Sequence, residues 1–421
     1  MTRLRRTSVS NHRSDRVFRR VLFDRARDHF AFFNLDPGLV AARSDLDFSL
    51  VRDHSSKTKG LCAHGFDRCA ASDAVMKSKE SIETQVERLH TGGLIDMHFD
   101  LPMDLYEKRR RPNVLAAEFL PEFEAGGMGM IGAAIYIEDR YLPERGLQVA
   151  LDQIARLYTE AEQSKRCVIC RTHDEISRAL NSKQTGFLIT MEGVEPLGDD
   201  LDLLRAFYEL GVRAIGLTHA RTNAAGFGGI FAASGSSPEG LTPFGRELVR
   251  ECERLGVIVD LAHINPAGFK EIVDLTTKPL VVSHTNARKF YDVERNISDE
   301  QIKMVGQRRG VIGINSVLVS PAQKETTLDC YVDHIEYVAG LIGIDCVGIG
   351  FDFFEFIYRQ WPESKKKWMA EKLTTPHFIP DLTNHSQAPN LTRKLIERGF
   401  SDVDIEKILR GNWMRIFDEI L

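Results

Sequence analysis

The stretch Leu94-Ile95-Asp96-Met97-His98-Phe99-Asp100-Leu101-Pro102 is an apolar run that ends in His-x-Asp and is stopped by proline. Residues two apart on a strand face the same way, so His98 and Asp100 are expected to present an imidazole and a carboxylate side by side at a strand's C-terminal end. Such nitrogen and oxygen donors suit zinc or a similar divalent cation. A strand-end histidine bonded to a turn carboxylate would read the same in isolation. The pattern recurs, however. Glu192 follows the run Gly186–Met191, His219 follows Val212–Leu217, and His263 follows Val257–Leu261. His284 follows Pro279–Val282, and Asp352 follows Cys346–Gly350. One ion takes three or four protein ligands and keeps a position for water. Four histidines and three carboxylates are too many for one ion and enough for two. Two cations within about 4 Å need a bridging group. No lysine ends the fourth run, so Glu192 is the expected bridge, ahead of Glu195 and Asp96.

These residues need a frame that brings many strand ends to one rim. From Met76 onward, apolar runs alternate with helical patterns. The second and seventh runs are Met130–Tyr136 and Val311–Asn315. Helices are expected at Gln148–Lys165, Leu201–Leu210, Pro266–Leu275, Ser298–Arg309 and Leu328–Ile342, with Leu391–Gly399 and Asp402–Leu421 closing the chain. Thr242-Pro243 reads as a cap and first turn, and Gly211 and Gly256 as helix stops. Eight strands alternating with helices predict an α/β fold, a (β/α)8 TIM-type barrel over residues 76–421. Active sites of that fold sit at the C-terminal strand ends, where the ligand-type residues fall. The Gly/Ser/Ala-rich segment Ala224–Gly240 suits a mobile cover over such a site.

Composition narrows the class. The chain has 421 residues, 43% hydrophobic and 27% charged, with net charge -5. That balance fits a globular protein and gives no reason to expect nucleic acid as a partner. No apolar run approaches the roughly 18 residues needed to span a bilayer. Seven cysteines, an odd number, argue against a disulfide framework and for a reducing, cytoplasmic setting. Cys167-Val168-Ile169-Cys170 has the zinc or redox CxxC spacing but no second pair, and reads as structural. Residues 1–75 are rich in Arg and lack Glu. Asp15, Asp24 and Asp28 spoil a transit-peptide pattern, so this segment is read as a poorly ordered extension.

The same residues carry a resemblance. The chain resembles the membrane (renal) dipeptidase family of zinc peptidases in His98-Phe99-Asp100-Leu101-Pro102, Glu192-Gly193, Leu217-Thr218-His219 and Gly240-Leu241-Thr242-Pro243-Phe244-Gly245. It continues in Val259-Asp260-Leu261-Ala262-His263, Ser283-His284, Arg295-Asn296, Asp333-His334-Ile335 and Gly348-Ile349-Gly350-Phe351-Asp352, in the family's order. The resemblance implies a zinc-dependent dipeptidase with two Zn2+ per chain. His98, Asp100 and the bridging Glu192 would hold one ion, and Glu192, His263 and His284 the other. A hydroxide between them would attack the peptide bond of a dipeptide, with tolerance for a D-residue on the C-terminal side. His219 would polarise the scissile carbonyl, Arg295 would pair with the terminal carboxylate, and Asp352 would be the acid/base. A homodimer is expected, with no lipid anchor signal. The family's usual Asp-Phe-Asp-Gly after the eighth strand is Asp352-Phe353-Phe354-Glu355 here, which places the substrate pocket in question. The Lys- and Trp-rich insertion Tyr358–Lys372 is expected at the mouth. Two alternatives accompany this reading: a related binuclear amidohydrolase acting on another amide, lactone or acyl-amino acid, and a catalytically inactive binding protein.

Overall fold

The computed structural model describes residues 80–229, 239–372 and 374–421. The expectation for residues 1–75 lies outside them, as does the centre of the Gly/Ser/Ala-rich segment. Nine parallel strands are present among the described residues: β1 Leu94–Phe99, β2 Met128–Tyr136, β3 Cys167–Ile169, β4 Thr185–Glu192 and β5 Val212–Gly216. The rest are β6 Ile258–Asp260, β7 Val281–Thr285, β8 Val311–Ile314 and β9 Val347–Ile349. Their order is β2-β1-β9-β8-β7-β6-β5-β4-β3, and a β2–β4 pairing closes the ring. All strands but β3 form the eight-stranded barrel, as expected.

The ninth strand was not expected. β3 pairs only with the start of β4, from Cys167↔Thr185 to Ile169↔Phe187. On that side β5 joins β4 only from Ile189 onward. Thus β3 covers the length of β4 edge that β5 leaves bare. In the sequence its residues stand out only for the CxxC spacing of Cys167–Cys170.

The barrel interior is filled by Ile95, Met97, Met130, Leu188, Ala214, Ile258, Val281 and Val311, packed on Trp413, Ile416 and Phe417 of the last helix, Asn412–Ile420. Arg415 of this helix donates to the carbonyls of Arg309 and Asp345, just before β8 and β9. The helix therefore plugs the N-terminal end and leaves the C-terminal rim open. Alternate residues such as Leu94, Ile131, Ile189, Val282 and Ile349 face the surrounding helices. The helix Pro243–Leu255 starts as read, with Thr242 Oγ1 accepting the Gly245 N–H at 3.0 Å, and stops at Gly256 with φ +73°. No helix among the described residues is long and apolar enough to cross a membrane.

Candidate active site

Strand alternation alone does not place the rim histidines. Ile95 and Met97 face the interior, so Asp96 faces outward, and His98 would follow it. Instead β1 advances from Asp96 to Phe99 while β2 advances only from Ile131 to Ala133. This bulge turns His98 inward. β7 does the same from Val282 to Thr285 against Ile312 to Ile314 of β8, and turns His284 inward. The two rings then stack, centroids 3.6 Å apart. Asp100 lies just beyond β1, at the start of the helix Leu101–Glu107, so it does not share a strand face with His98 as the sequence argument supposed. The two still meet, with His98 Nε2 3.8 Å from Asp100 Oδ1. Glu192 arrives by simple alternation from Leu188. His263 and Asp352 reach the site in left-handed conformations, φ +63° and +56°, which non-glycine residues adopt at some cost in strain.

Glu192 sits at the centre. Its Oε1 is 2.9 Å from His263 Nε2, 3.5 Å from His284 Nε2 and 3.7 Å from His98 Nε2. Asp352 lies 4.0 Å from both His98 and His284. The ring of His219 is 4.4 Å from that of His263. Three overlapping groups, His98/Asp100/Glu192, Glu192/His219/His263 and His98/His284/Asp352, each have donor atoms within 4.8 Å of one another. Arg295, 3% exposed, donates from Nη2 to the His284 carbonyl at 3.0 Å.

The electrostatics suit a cation. Burial, reinforced by Asp352 and Glu138, pushes Asp100 up to about 8. Burial and the neighbouring Asp100 and Asp352 raise Glu192 well above the ordinary carboxylate range. Burial lifts Asp352 to about 7 against the pull of Arg295 and Asn315. Burial and then Arg295 lower His98 to about 3, and burial likewise holds His219, His263 and His284 well below their usual value. The imidazoles are thus neutral, the protonation state that ligates metal. Among the described residues, His98 Nε2 and Asp100 Oδ1 are buried without a hydrogen-bond partner. Orphaned donor atoms among crowded carboxylates are what ligands of a cation present when the protein is considered alone. The residues present therefore fit a divalent metal.

The family model of membrane dipeptidase, peptidase family M19, matches residues 83–375 and 370–421. The chain belongs to this family. Dipeptidase tcpJ of Claviceps purpurea is 30% identical over 64% of this chain and 58% of its own length. Human dipeptidase 3 is 26% identical over 78% of this chain and 65% of its own. The chain thus spans less than two thirds of the length of these relatives. A metallopeptidase from Rhodobacter sphaeroides, solved with a phosphinate mimic of L-Ala-D-Ala, shares the fold with TM-score 0.68 and 24% identity over 78% of this chain and 99% of its own. The probable dipeptidase PvdM from Pseudomonas aeruginosa does so with TM-score 0.67 and 19% identity over 80% of this chain and 98% of its own.

Where this member departs from the family's usual motif after β9, the structure accounts for each residue. Phe353 packs on Phe351 and His385, with centroids 4.6 and 4.9 Å away. Phe354 packs on Phe378 at 5.2 Å. Glu355 is taken up by Arg359, 2.6 Å away, so it does not replace a lost site carboxylate. In the insertion, Lys365 stacks over Trp361 at 3.8 Å and reaches Glu138, beyond β2, at 3.3 Å. That contact carries the insertion across the rim, as expected. Cys167 and Cys170 are buried, and burial pushes their thiols up to about 11 and about 12, against a ligand or redox role.

Two rim residues escaped the sequence argument although each ended an apolar run. Asn315 Oδ1 accepts the Val317 N–H at 2.6 Å, which leaves Nδ2 to donate to Asp352 Oδ2 at 2.9 Å. The Tyr136 ring lies tilted against that of His219, 4.9 Å between centroids, and its hydroxyl accepts from Arg221 Nη1 at 3.2 Å. Neutral polar residues are common at strand ends and stand out only once their neighbours are known.

Proposed function

We propose that this protein is a zinc-dependent dipeptidase with two ions per chain. The carrying observation is Glu192, whose one oxygen lies within 3.7 Å of the Nε2 atoms of His98, His263 and His284. His98, Asp100 and Glu192 would hold one ion, and Glu192, His263 and His284 the other. When bound, such a pair supplies Lewis acidity, polarising a peptide carbonyl and letting water ionise near neutral pH.

The chain's own residues supply the rest. Buried Arg295 offers the substrate's terminal carboxylate a charge-assisted fork. His219, neutral, directs a ring nitrogen toward the carbonyl oxygen and stabilises the charge that develops there. Asp352, with a pKa near 7, accepts the attacking water's proton and passes it to the leaving amine. Because Asn315 donates to Oδ2, Oδ1 is the oxygen free to carry that proton. The product is two amino acids.

The test is hydrolysis of a panel of L-Xaa-L-Xaa and L-Xaa-D-Xaa dipeptides by zinc-loaded and chelator-stripped protein. Zinc-dependent release of amino acids supports the reading. Protein that holds two ions and turns over no dipeptide would shift it to another amide or ester, with Phe354 and Glu355 as the altered part of the pocket.

A further inference from the structure

We infer that Asp96 and His385 are positioning residues that hold the His98 side of the metal site in register with Asp352. The ladder joining β1 to β9 contains a single register pair, Asp96↔Ile349. Beyond it the Asp96 carboxylate takes over. Its Oδ1 accepts the N–H of His98 at 3.2 Å and the N–H of Phe351 at 2.9 Å. The first bond runs from a side chain to the backbone two residues on, and it fastens the bulge that turns His98 inward. The second fixes the residue just before Asp352, whose own N–H donates to the His98 carbonyl at 3.3 Å.

The other carboxylate oxygen is held from a distant part of the chain. Asp96 Oδ2 accepts from His385 Nε2 at 2.8 Å. A carboxylate offers only acceptors, so Nε2 carries the hydrogen. Asp96 is 0% exposed and His385 1% exposed. The imidazole is packed edge-on by Phe99, Phe123 and Phe353, centroids 4.7, 4.8 and 4.9 Å away. These rings leave His385 little rotational freedom, and therefore leave Asp96 little. His385 begins the short turn after the rim insertion, so the covering segment and the metal site share this anchor.

The inference rests on the metal reading of the site, and the experiment separates the two. The full chain is stripped with chelator and titrated with zinc against a competing chromogenic chelator. The number of ions, their affinities and the metal-free Tm are recorded. Wild-type protein is expected to take up two ions; uptake of none would remove the metal reading and this inference with it. Asp96→Ala and His385→Phe are expected to weaken one ion by about 10–100-fold and leave the other unchanged, as expected when the support of a ligand is lost. Asp96→Asn and His385→Gln keep the bonds to the backbone or to Asp96 and are expected to retain both ions. A merely structural role would lower the metal-free Tm with both affinities unchanged, and that result in two-ion protein overturns the inference alone. If Asp96→Ala does not fold, His385→Phe decides by the same measure, since it leaves His98 and Asp96 in place.

Discussion

Arg295 shares its buried space with Asp352, Glu192 and Asp260, and burial holds its pKa below the usual guanidinium value. A substrate carboxylate would meet a desolvated charge there. Hydrogen bonds to charged groups contribute about 1.5–3 kcal/mol. Arg295→Ala should therefore lower kcat/KM for free dipeptides by roughly 10–100-fold and leave C-terminally amidated analogues little changed. Equal losses on both substrates would take Arg295 out of carboxylate binding. Asn315 makes a second prediction at this scale. Its bond to Asp352 favours the ionised carboxylate, so removing it raises the Asp352 pKa. A base must be deprotonated to act. In Asn315→Leu the acidic limb of the kcat profile should move to higher pH, with kcat reduced at pH 7. An unmoved limb would mean that another group titrates.

The bulges in β1 and β7 turn two carbonyls into the barrel, and the neighbouring strands make room. A Cβ on Gly132 of β2 would overlap the Met97 carbonyl oxygen, and one on Gly313 or Gly350 would overlap that of Ser283. The glycines are thus the counterparts of the bulges that aim His98 and His284. Overpacking of this kind costs about 1–3 kcal/mol, and more when backbone must move. Gly132→Ala and Gly313→Ala should lower the Tm of the metal-free protein and weaken zinc binding together. A lower Tm with intact zinc binding would separate the bulges from ligand placement. Asp260 works on the β6–β7 seam much as Asp96 does on its own. It accepts the N–H groups of Ala262 at 3.0 Å and Ser283 at 2.8 Å, one residue before His263 and His284 respectively.

Across the whole molecule, acid sensitivity is built in beyond the ligand cluster. His334 Nδ1 accepts the Ala287 N–H at 3.1 Å, and Nε2 donates to the Val319 carbonyl at 2.9 Å. It ties together the loops that carry Arg295 and follow Asn315. Only neutral imidazole can accept and donate at once. Burial lowers His334 to about 4, and His90 likewise to about 4. A base whose pKa is lower in the folded state binds fewer protons there than in the unfolded chain. The stability these histidines contribute is therefore present above about 6.5 and lost as pH falls toward 4. Urea midpoints of zinc-free protein should fall across that window. His334→Gln, which can also accept and donate, should flatten the fall, and an unchanged slope would assign the loss elsewhere.

Much of this was legible from residue order alone. A parallel barrel brings every strand's C-terminal end to one rim, so a ligand-type residue just past an apolar run must lie there whatever its partners. That is why His98, Asp100, Glu192, His219, His263, His284 and Asp352 could be picked out, and why the eight ring strands could be counted. Orientation was another matter. Alternation pointed His98 along the same face as Asp100, whereas a bulge turned it inward and Asp100 came from the following helix. β3 showed only a CxxC spacing, and Asn315 and Tyr136 gained meaning only from Asp352 and His219 beside them. His385 lies 289 residues from Asp96 in the chain. Local periodicity carries no information about such a pairing, because it exists only once the barrel has closed between its first and last strands.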